Sequence, residues 1–389
     1  MSSWMDDELN DLRRSGLYRR RRRLQSAQGA VVWMGNRQFT SFSSNDYLNL
    51  AADPRLTRAA RAATHRYGSG AGASPLISGL LPPLRALERA LAHWEGTESA
   101  LVFSSGFAAN LAVVSSLAGA NDTIFSDQLN HASLIDGCRL SRARVHVYRH
   151  GDAGHLEELL RREGQNSRRR VIVTDSVFSM DGDFAPLQYL YELARRFDAV
   201  LVLDEAHATG VLGKNGRGLV ELFPPPGDLD PDSVIRGGTL SKALGAQGGF
   251  VCGSRRMIAW LVNRARPYIF STALAPPLAA AARRAIALVQ ALPERRRRLL
   301  ALASRLRERL QVIGHDCSRS RCQIVPIDVG DARGAVRISR HLAEAGLLVP
   351  AVRPPSVPDG TSRLRVSLTA GHNEAALDQL VDTLRQVWP

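Results

Sequence analysis

Residues 171–174 and 199–203 are short runs, apolar but for Thr174, and the stretch between them carries Leu187, Leu190, Ala194 and Phe197 at helical spacing. A buried strand, an amphipathic helix and a second buried strand in that order can close only as a right-handed crossover in a parallel sheet. Residues 101–103 and 250–252 read as further buried strands of the same kind. The spacing therefore predicts a large α/β domain with a mostly parallel sheet. After about Pro277 the pattern changes: residues 279–310 form a long Ala/Leu/Arg helical stretch, broken near Pro293. Strand-like 324–329, helical 334–345, strand-like 364–368 and helical 373–387 follow. That order predicts a smaller α+β C-terminal domain over 278–389, after a large domain over 46–277. An N-terminal arm, 1–45, precedes both and reads as a helix followed by a short hairpin.

With 389 residues, the chain can bury a sizeable core. Residues 101–120 contain no charge but hold several serines, a glycine and an asparagine, so they read as strand, turn and helix instead of a membrane span. The first thirty residues lack the apolar run of a secretory signal, and Asp6, Asp7, Glu8 and Asp11 do not suit a transit peptide, so a cytoplasmic location is expected. Cys138, Cys252, Cys317 and Cys322 are read as reduced thiols, and no metal site is expected. The net charge of +14 and the arginine runs at 19–23, 168–170 and 295–298 raise nucleic-acid binding as a possibility. No nucleic-acid motif accompanies them, and solvated faces explain them better. A basic surface could instead steer an acidic partner or a phosphorylated substrate.

Of the 51 lysine and arginine residues only two are lysines, Lys214 and Lys242. A guanidinium stays protonated and forms no imine, whereas a lysine amine can act as a nucleophile once deprotonated. Lys214 lies in the polar loop Gly213-Lys214-Asn215-Gly216 and reads as an ordinary surface residue. Lys242 ends Gly237-Gly238-Thr239-Leu240-Ser241-Lys242, which suits a Schiff base beside a phosphate. Ligands of parallel sheets gather at the carboxyl ends of strands. Ser105-Gly106-Phe107, at such an end, opens a helix that can receive a phosphate. Asp204-Glu205-Ala206-His207 follows the run 199–203. The glycine-rich stretch from Gly68 to Ala73 follows no strand, so a dinucleotide fingerprint fails there. A strand-end carboxylate, a histidine three residues on and a later lysine fit pyridoxal phosphate. That cofactor needs a lysine for its aldehyde, donors for its phosphate and an acid for its ring nitrogen.

The chain resembles the α-oxoamine synthases, which are fold-type I pyridoxal phosphate enzymes. Its matching segments are Phe42-Ser43-Ser44-Asn45-Asp46-Tyr47-Leu48, Ser105-Gly106-Phe107-Ala108-Ala109-Asn110, His131-Ala132-Ser133, Val177-Phe178-Ser179-Met180-Asp181-Gly182-Asp183, Asp204-Glu205-Ala206-His207 and Thr239-Leu240-Ser241-Lys242. Arg353-Pro354-Pro355-Ser356-Val357-Pro358 points to the branch that joins L-alanine to a pimeloyl thioester, carried by CoA or acyl carrier protein. The resemblance implies that Lys242 carries the cofactor and Asp204 pairs with its ring nitrogen. It implies that His207, with Ser179 beside it, meets the phenolic oxygen and that His131 stacks on the ring. Lys242, His131, Asp204 and His207 are thus the expected catalytic residues. Gly106, Phe107 and Thr239 would bind phosphate, joined by Ser271 and Thr272 from the neighbouring subunit of a homodimer. Arg353, with Ser356 near it, would hold the amino-acid carboxylate, and Asn45 and Arg21 would also contact substrate. Ala208 and Ser241 stand where glycine is common in the family. A sister activity on the same scaffold, such as glycine C-acetyltransferase, is the alternative that these motifs do not fully separate.

Overall fold

The computed structural model describes residues 3–388, and these fall into two compact units. One joins the N-terminal residues through Asn49, the short segment Ser179–Asp183 and the chain from Arg297 onward; the other holds Leu50–Phe178 and Phe184–Arg296.

In the first unit, the helix Trp4–Arg14 precedes a hairpin of β1 (Val31–Met34) and β2 (Arg37–Ser41). The second unit is built on seven strands: β3 (Ser99–Phe103), β4 (Thr123–Asp127), β5 (Arg144–Tyr148), β6 (Arg170–Asp175), β7 (Ala199–Asp204), β8 (Val234–Thr239) and β9 (Gly249–Gly253). Their order is β3-β9-β8-β7-β6-β4-β5. Neighbours from β8 through β5 run parallel; only β9 is antiparallel, to both β8 and β3. The middle of the sheet is fully buried, as apolar runs covered on both faces require. The helix between β6 and β7 spans Leu187–Arg196 and buries Leu187, Leu190, Tyr191 and Ala194. Residues 101–120 form the end of β3 and the helix Gly106–Leu117.

The rest of the first unit contains β10 (Ile324–Gly330), β11 (Leu347–Leu348), β12 (Ala351–Val352) and β13 (Ser362–Ser367). β11 adds parallel to β2, and β10, β13 and β12 form a second antiparallel sheet. The long helical stretch is two helices, Pro276–Ala291 and Pro293–Val312, and Pro293 begins the second, where a missing N–H costs nothing.

Two of the three arginine runs are structural. Burial would raise Asp122, but hydrogen bonds from Arg168 and Arg169 outweigh it and hold the carboxyl down near about 2. Arg295 pairs with Asp53, Arg296 donates to the Lys214 carbonyl at 2.6 Å, and Arg298 donates to the His372 carbonyl at 2.8 Å. Arginine here acts as a multidentate donor to buried acceptors, which corrects the expectation of merely solvated faces. All four cysteines are buried free thiols. No described helix is long and apolar enough to cross a membrane.

Candidate active site

Strand register assembles the site. Asp175, Asp204 and Gly237 are neighbours across β6, β7 and β8. Thr239 pairs with Gly249, and Gly249 pairs with Phe103, so the turn after β3 opens on the edge where β8 ends. Residues far apart in sequence thus meet at the carboxyl edge of one sheet.

Lys242 lies in the tight loop between β8 and β9. The loop is closed by Leu240 N–H to the Gly248 carbonyl at 3.0 Å and Gly245 N–H to the Lys242 carbonyl at 2.9 Å. Gly245 has φ of 60°, and a Cβ there would sit 2.4 Å from the Ala51 nitrogen, so no larger residue fits. Lys242 Nζ is 2.9 Å from His207 Nε2. His207 and Asp204 are both buried.

Asp204 accepts from Asn110 Nδ2 at 2.6 Å and from the Ala206 N–H at 2.7 Å. Asn110 also donates to Ser133 Oγ at 2.9 Å. A Cβ at Gly237 would come within 2.8 Å of Asn110 Oδ1, so glycine there lets the amide lie against β8. Ser133 Oγ is in turn 2.7 Å from His131 Nδ1. His131 caps the helix Ala132–Ser141, and its own N–H donates to Asp175 Oδ2 at 2.7 Å. Burial and the negative charge of Asp204 push Asp175 well above the usual carboxylate range. The atoms packed around the His131 ring lower its pKa more than Asp204 raises it, and the charge of Lys242 lowers it further. His131 is exposed, and its ring meets that of Phe107 edge-on, the centroids 6.3 Å apart.

Ser105 caps the helix Gly106–Leu117, its side chain accepting from Ala108 and its carbonyl from Ala109. The amides of Gly106 and Phe107 come before these at the helix start, where N–H groups have no intrahelical acceptor. A Cβ on Gly106 would sit 3.2 Å from Thr239 Cβ, so the helix start and the Thr239 side chain face one another closely. Thr239 Oγ1 donates to the Gly248 carbonyl at 3.0 Å and contacts Ser241 Oγ at 2.7 Å. An amine, a buried carboxylate flanked by amide donors, a ring-bearing cap and an anion cradle lie along one edge. This donor set fits pyridoxal phosphate: Lys242 for its aldehyde, Asp204 for its ring nitrogen, and Gly106, Phe107 and Thr239 for its phosphate.

The remaining expected residues lie elsewhere in the chain. Ser271 and Thr272 are in the turn before Pro276–Ala291, where the next amide, Ala273, donates to the Ala73 carbonyl at 3.0 Å. In the first unit, Asn45 Oδ1 accepts from Tyr47 Oη and from Arg365, which also donates to the Ser179 carbonyl at 2.5 Å. Arg353 donates to the Gly16 carbonyl, and Arg19 donates to the Pro354 carbonyl at 3.1 Å. Burial, and then the nearby charge of Arg19, lower Arg353 from the usual arginine value. The Ser356 N–H donates to the Arg353 carbonyl at 3.0 Å, and Arg21 is exposed. Sequence reasoning missed Asn110, Ser133 and Asp175 as site residues. Asp175 carried a signal: it ends an apolar run as Asp204 does.

The model of the aminotransferase class I and II family matches residues 37–384. The chain belongs to this family and, within it, to the α-oxoamine synthases, pyridoxal-phosphate-dependent enzymes that transfer an acyl group to carbon. An 8-amino-7-oxononanoate synthase from Anaeromyxobacter dehalogenans strain 2CP-1 is 48% identical over 386 residues, covering 99% of this chain and 96% of the relative. A serine palmitoyltransferase from S. paucimobilis, solved with pyridoxal phosphate and myriocin bound, superposes with a TM-score of 0.92 at 29% identity, covering 99% and 96% of the two chains. An 8-amino-7-oxononanoate synthase from Francisella tularensis superposes with a TM-score of 0.77 at 30% identity, covering 90% and 97%.

Proposed function

We propose that this chain catalyses the decarboxylative condensation of L-alanine with a pimeloyl thioester, the 8-amino-7-oxononanoate synthase reaction of biotin biosynthesis. The products are 8-amino-7-oxononanoate, carbon dioxide and the free thiol of the carrier. The observation that carries the reading is Lys242 Nζ at 2.9 Å from His207 Nε2, beside the buried Asp204. The full-length identity to synthases of that name supports it.

When bound, pyridoxal phosphate supplies an electron sink that makes the Cα–H of alanine acidic. Lys242 takes the Cα proton and returns one to the same carbon after carbon dioxide has left. His207 orients the amine. Asp204 offers its negative charge to the ring nitrogen, and Asn110 holds that carboxylate in place. His131 covers one ring face. Arg353, with Ser356 near it, binds the alanine carboxylate, and Asn45 and Arg21 contact substrate. Ser179 lies beside the phenolic oxygen. Ser271 and Thr272 complete the phosphate site of a second copy, so the working enzyme is a homodimer, located in the cytoplasm.

The serine palmitoyltransferase superposes with a TM-score of 0.92 against 0.77 for the Francisella tularensis synthase, so a sister activity is the competing reading. Purified holoenzyme would be offered alanine, glycine and serine against pimeloyl, acetyl, succinyl and palmitoyl thioesters, with pimelate on both CoA and acyl carrier protein. Mass spectrometry of the aminoketone and release of carbon dioxide are the readouts. The alanine–pimeloyl pair should have the highest kcat/KM. A tenfold preference for any other pair would overturn the assignment.

A further inference from the structure

A cavity of about 490 Å³ lies in the second unit at the opposite, amino edge of the seven-stranded sheet. Its floor comes from the turn before β3, the start of β8 and the end of β9. Strand β8 is six residues long, which sets this cavity about 20 Å from the Lys242 edge.

Three of its lining residues each carry a side-chain atom that is buried without a hydrogen-bond partner among the described residues: Glu95 Oε1, Tyr191 Oη and Arg217 Nε. Tyr191 is wholly buried and Glu95 is 4% exposed. Leaving such an atom unmet carries the full desolvation cost of a polar group with no bond to offset it. Three of them, from three separate elements on one cavity, point to something that meets them together. A similar cavity of about 520 Å³ elsewhere in this unit contains none of these orphaned atoms.

The donor pattern identifies the chemistry. Arg217 can only donate. Burial, and next the charge of Glu205, keep Tyr191 a phenol, which can donate as well. The other oxygen of Glu95 is held by Arg236, whose Nη1 is 3.3 Å away and whose Nη2 donates to the Glu95 carbonyl at 2.8 Å. Burial pushes Glu95 up to about 8 against the pull of Arg236, so near neutrality it is mostly the acid, a third donor. Acidic neighbours at the cavity already have donors: Glu98 accepts from the Arg255 amide, Glu221 from the Asn215 and Arg217 amides, and Asp230 from the Asp232 amide. Pro224, Pro225 and Leu229 form an apolar wall.

We propose that this cavity is a second ligand site, which binds a small aliphatic monocarboxylic acid. Its carboxylate accepts from Arg217 and Tyr191 and meets Glu95, while its chain lies on the proline wall. The site is separate from the Lys242 chemistry and does not depend on which amino acid or thioester the enzyme uses.

Hexanoate is the probe, titrated into holoenzyme saturated with L-alanine so that the amino-acid site is filled, and followed by ligand-observed NMR. Saturable binding is expected. Hexanol, of the same length without the carboxylate, should bind at least tenfold more weakly. Tyr191→Phe, which keeps the ring, should weaken hexanoate by about tenfold, the effect of one hydrogen bond, whereas Glu95→Gln, whose amide keeps an acceptor for Arg236 and a donor for the carboxylate, should stay within about twofold of native. A crystal soaked with hexanoate should show it on Arg217 and Tyr191. Equal affinity for hexanol, unchanged affinity in Tyr191→Phe, a tenfold loss in Glu95→Gln, binding at crystal concentration only, or ordered water on these three atoms that hexanoate does not displace would each overturn the proposal.

Discussion

The two edges of the seven-stranded sheet treat buried polar groups in opposite ways. At the carboxyl edge, Asp204, Asn110, Ser133, His131 and Asp175 form an unbroken chain of hydrogen bonds. At the amino edge, Glu95, Tyr191 and Arg217 each leave an atom unmet. A closed chain of this kind holds its members in place before any ligand arrives, because each rotamer is set by the next residue. An edge left open carries a standing cost that a ligand can relieve. The same sheet therefore presents a preorganised edge and an unsatisfied one.

The strongest way to break this contrast is at Lys242. Lys242→Ala should lower kcat by roughly three orders of magnitude or more, since the general base is gone. Borohydride reduction of the native holoenzyme should place the cofactor on the peptide containing Lys242, and Lys214→Arg should leave that labelling unchanged. Cofactor found on Lys214 would remove Lys242 from its role. At the other edge, the folded protein holds a proton on Glu95 that the unfolded chain has released above its ordinary value of 4.5. This contribution to stability is full below about pH 4.5 and is lost as pH rises toward 8, by roughly a few kcal/mol. Denaturant unfolding of Glu95→Gln should therefore decline less across that window than the native protein does; parallel curves would show that Glu95 does not titrate there. The smallest effect is expected at Asp175. Asp175→Ala leaves the part-buried His131 N–H without its acceptor and should cost about 1 kcal/mol, with kcat lower because His131 is less well held. Asp175→Asn retains an acceptor oxygen and should stay close to native in both unfolding midpoint and kcat. If the two variants behave alike, Asp175 does not position His131.

The difference between the edges also marks what a single sequence can show. The parallel sheet was legible at 171–174 and 199–203 because apolar runs and helical spacing are local signals; Asp204 and His207 followed from their places after an apolar run, and Lys242 from being one of two lysines, behind Gly237-Gly238-Thr239. Strands β4, β5 and β8 were not singled out: β5 is exposed or half-buried at every position but Tyr148, and β8 contains an arginine and two glycines. Asn110 lies inside the mostly apolar helix after β3, and only the strand order β3-β9-β8-β7 brings Asp204 within its reach. Glu95, Tyr191 and Arg217 come from a helix end, a helix interior and a loop, with no shared spacing to connect them. The arginine runs misled for a related reason: whether a charge is solvated or clamps a buried carbonyl, as Arg296 does, depends on contacts distant in the chain.

With only two lysine side chains in 389 residues, the protein is suited to isotope work that most enzymes of its size preclude. Growth on lysine labelled with ¹⁵N at Nζ would leave a side-chain spectrum of two signals. The exposed loop residue Lys214 would serve as an internal reference, and the other signal would report the amine beside His207 through every stage of turnover.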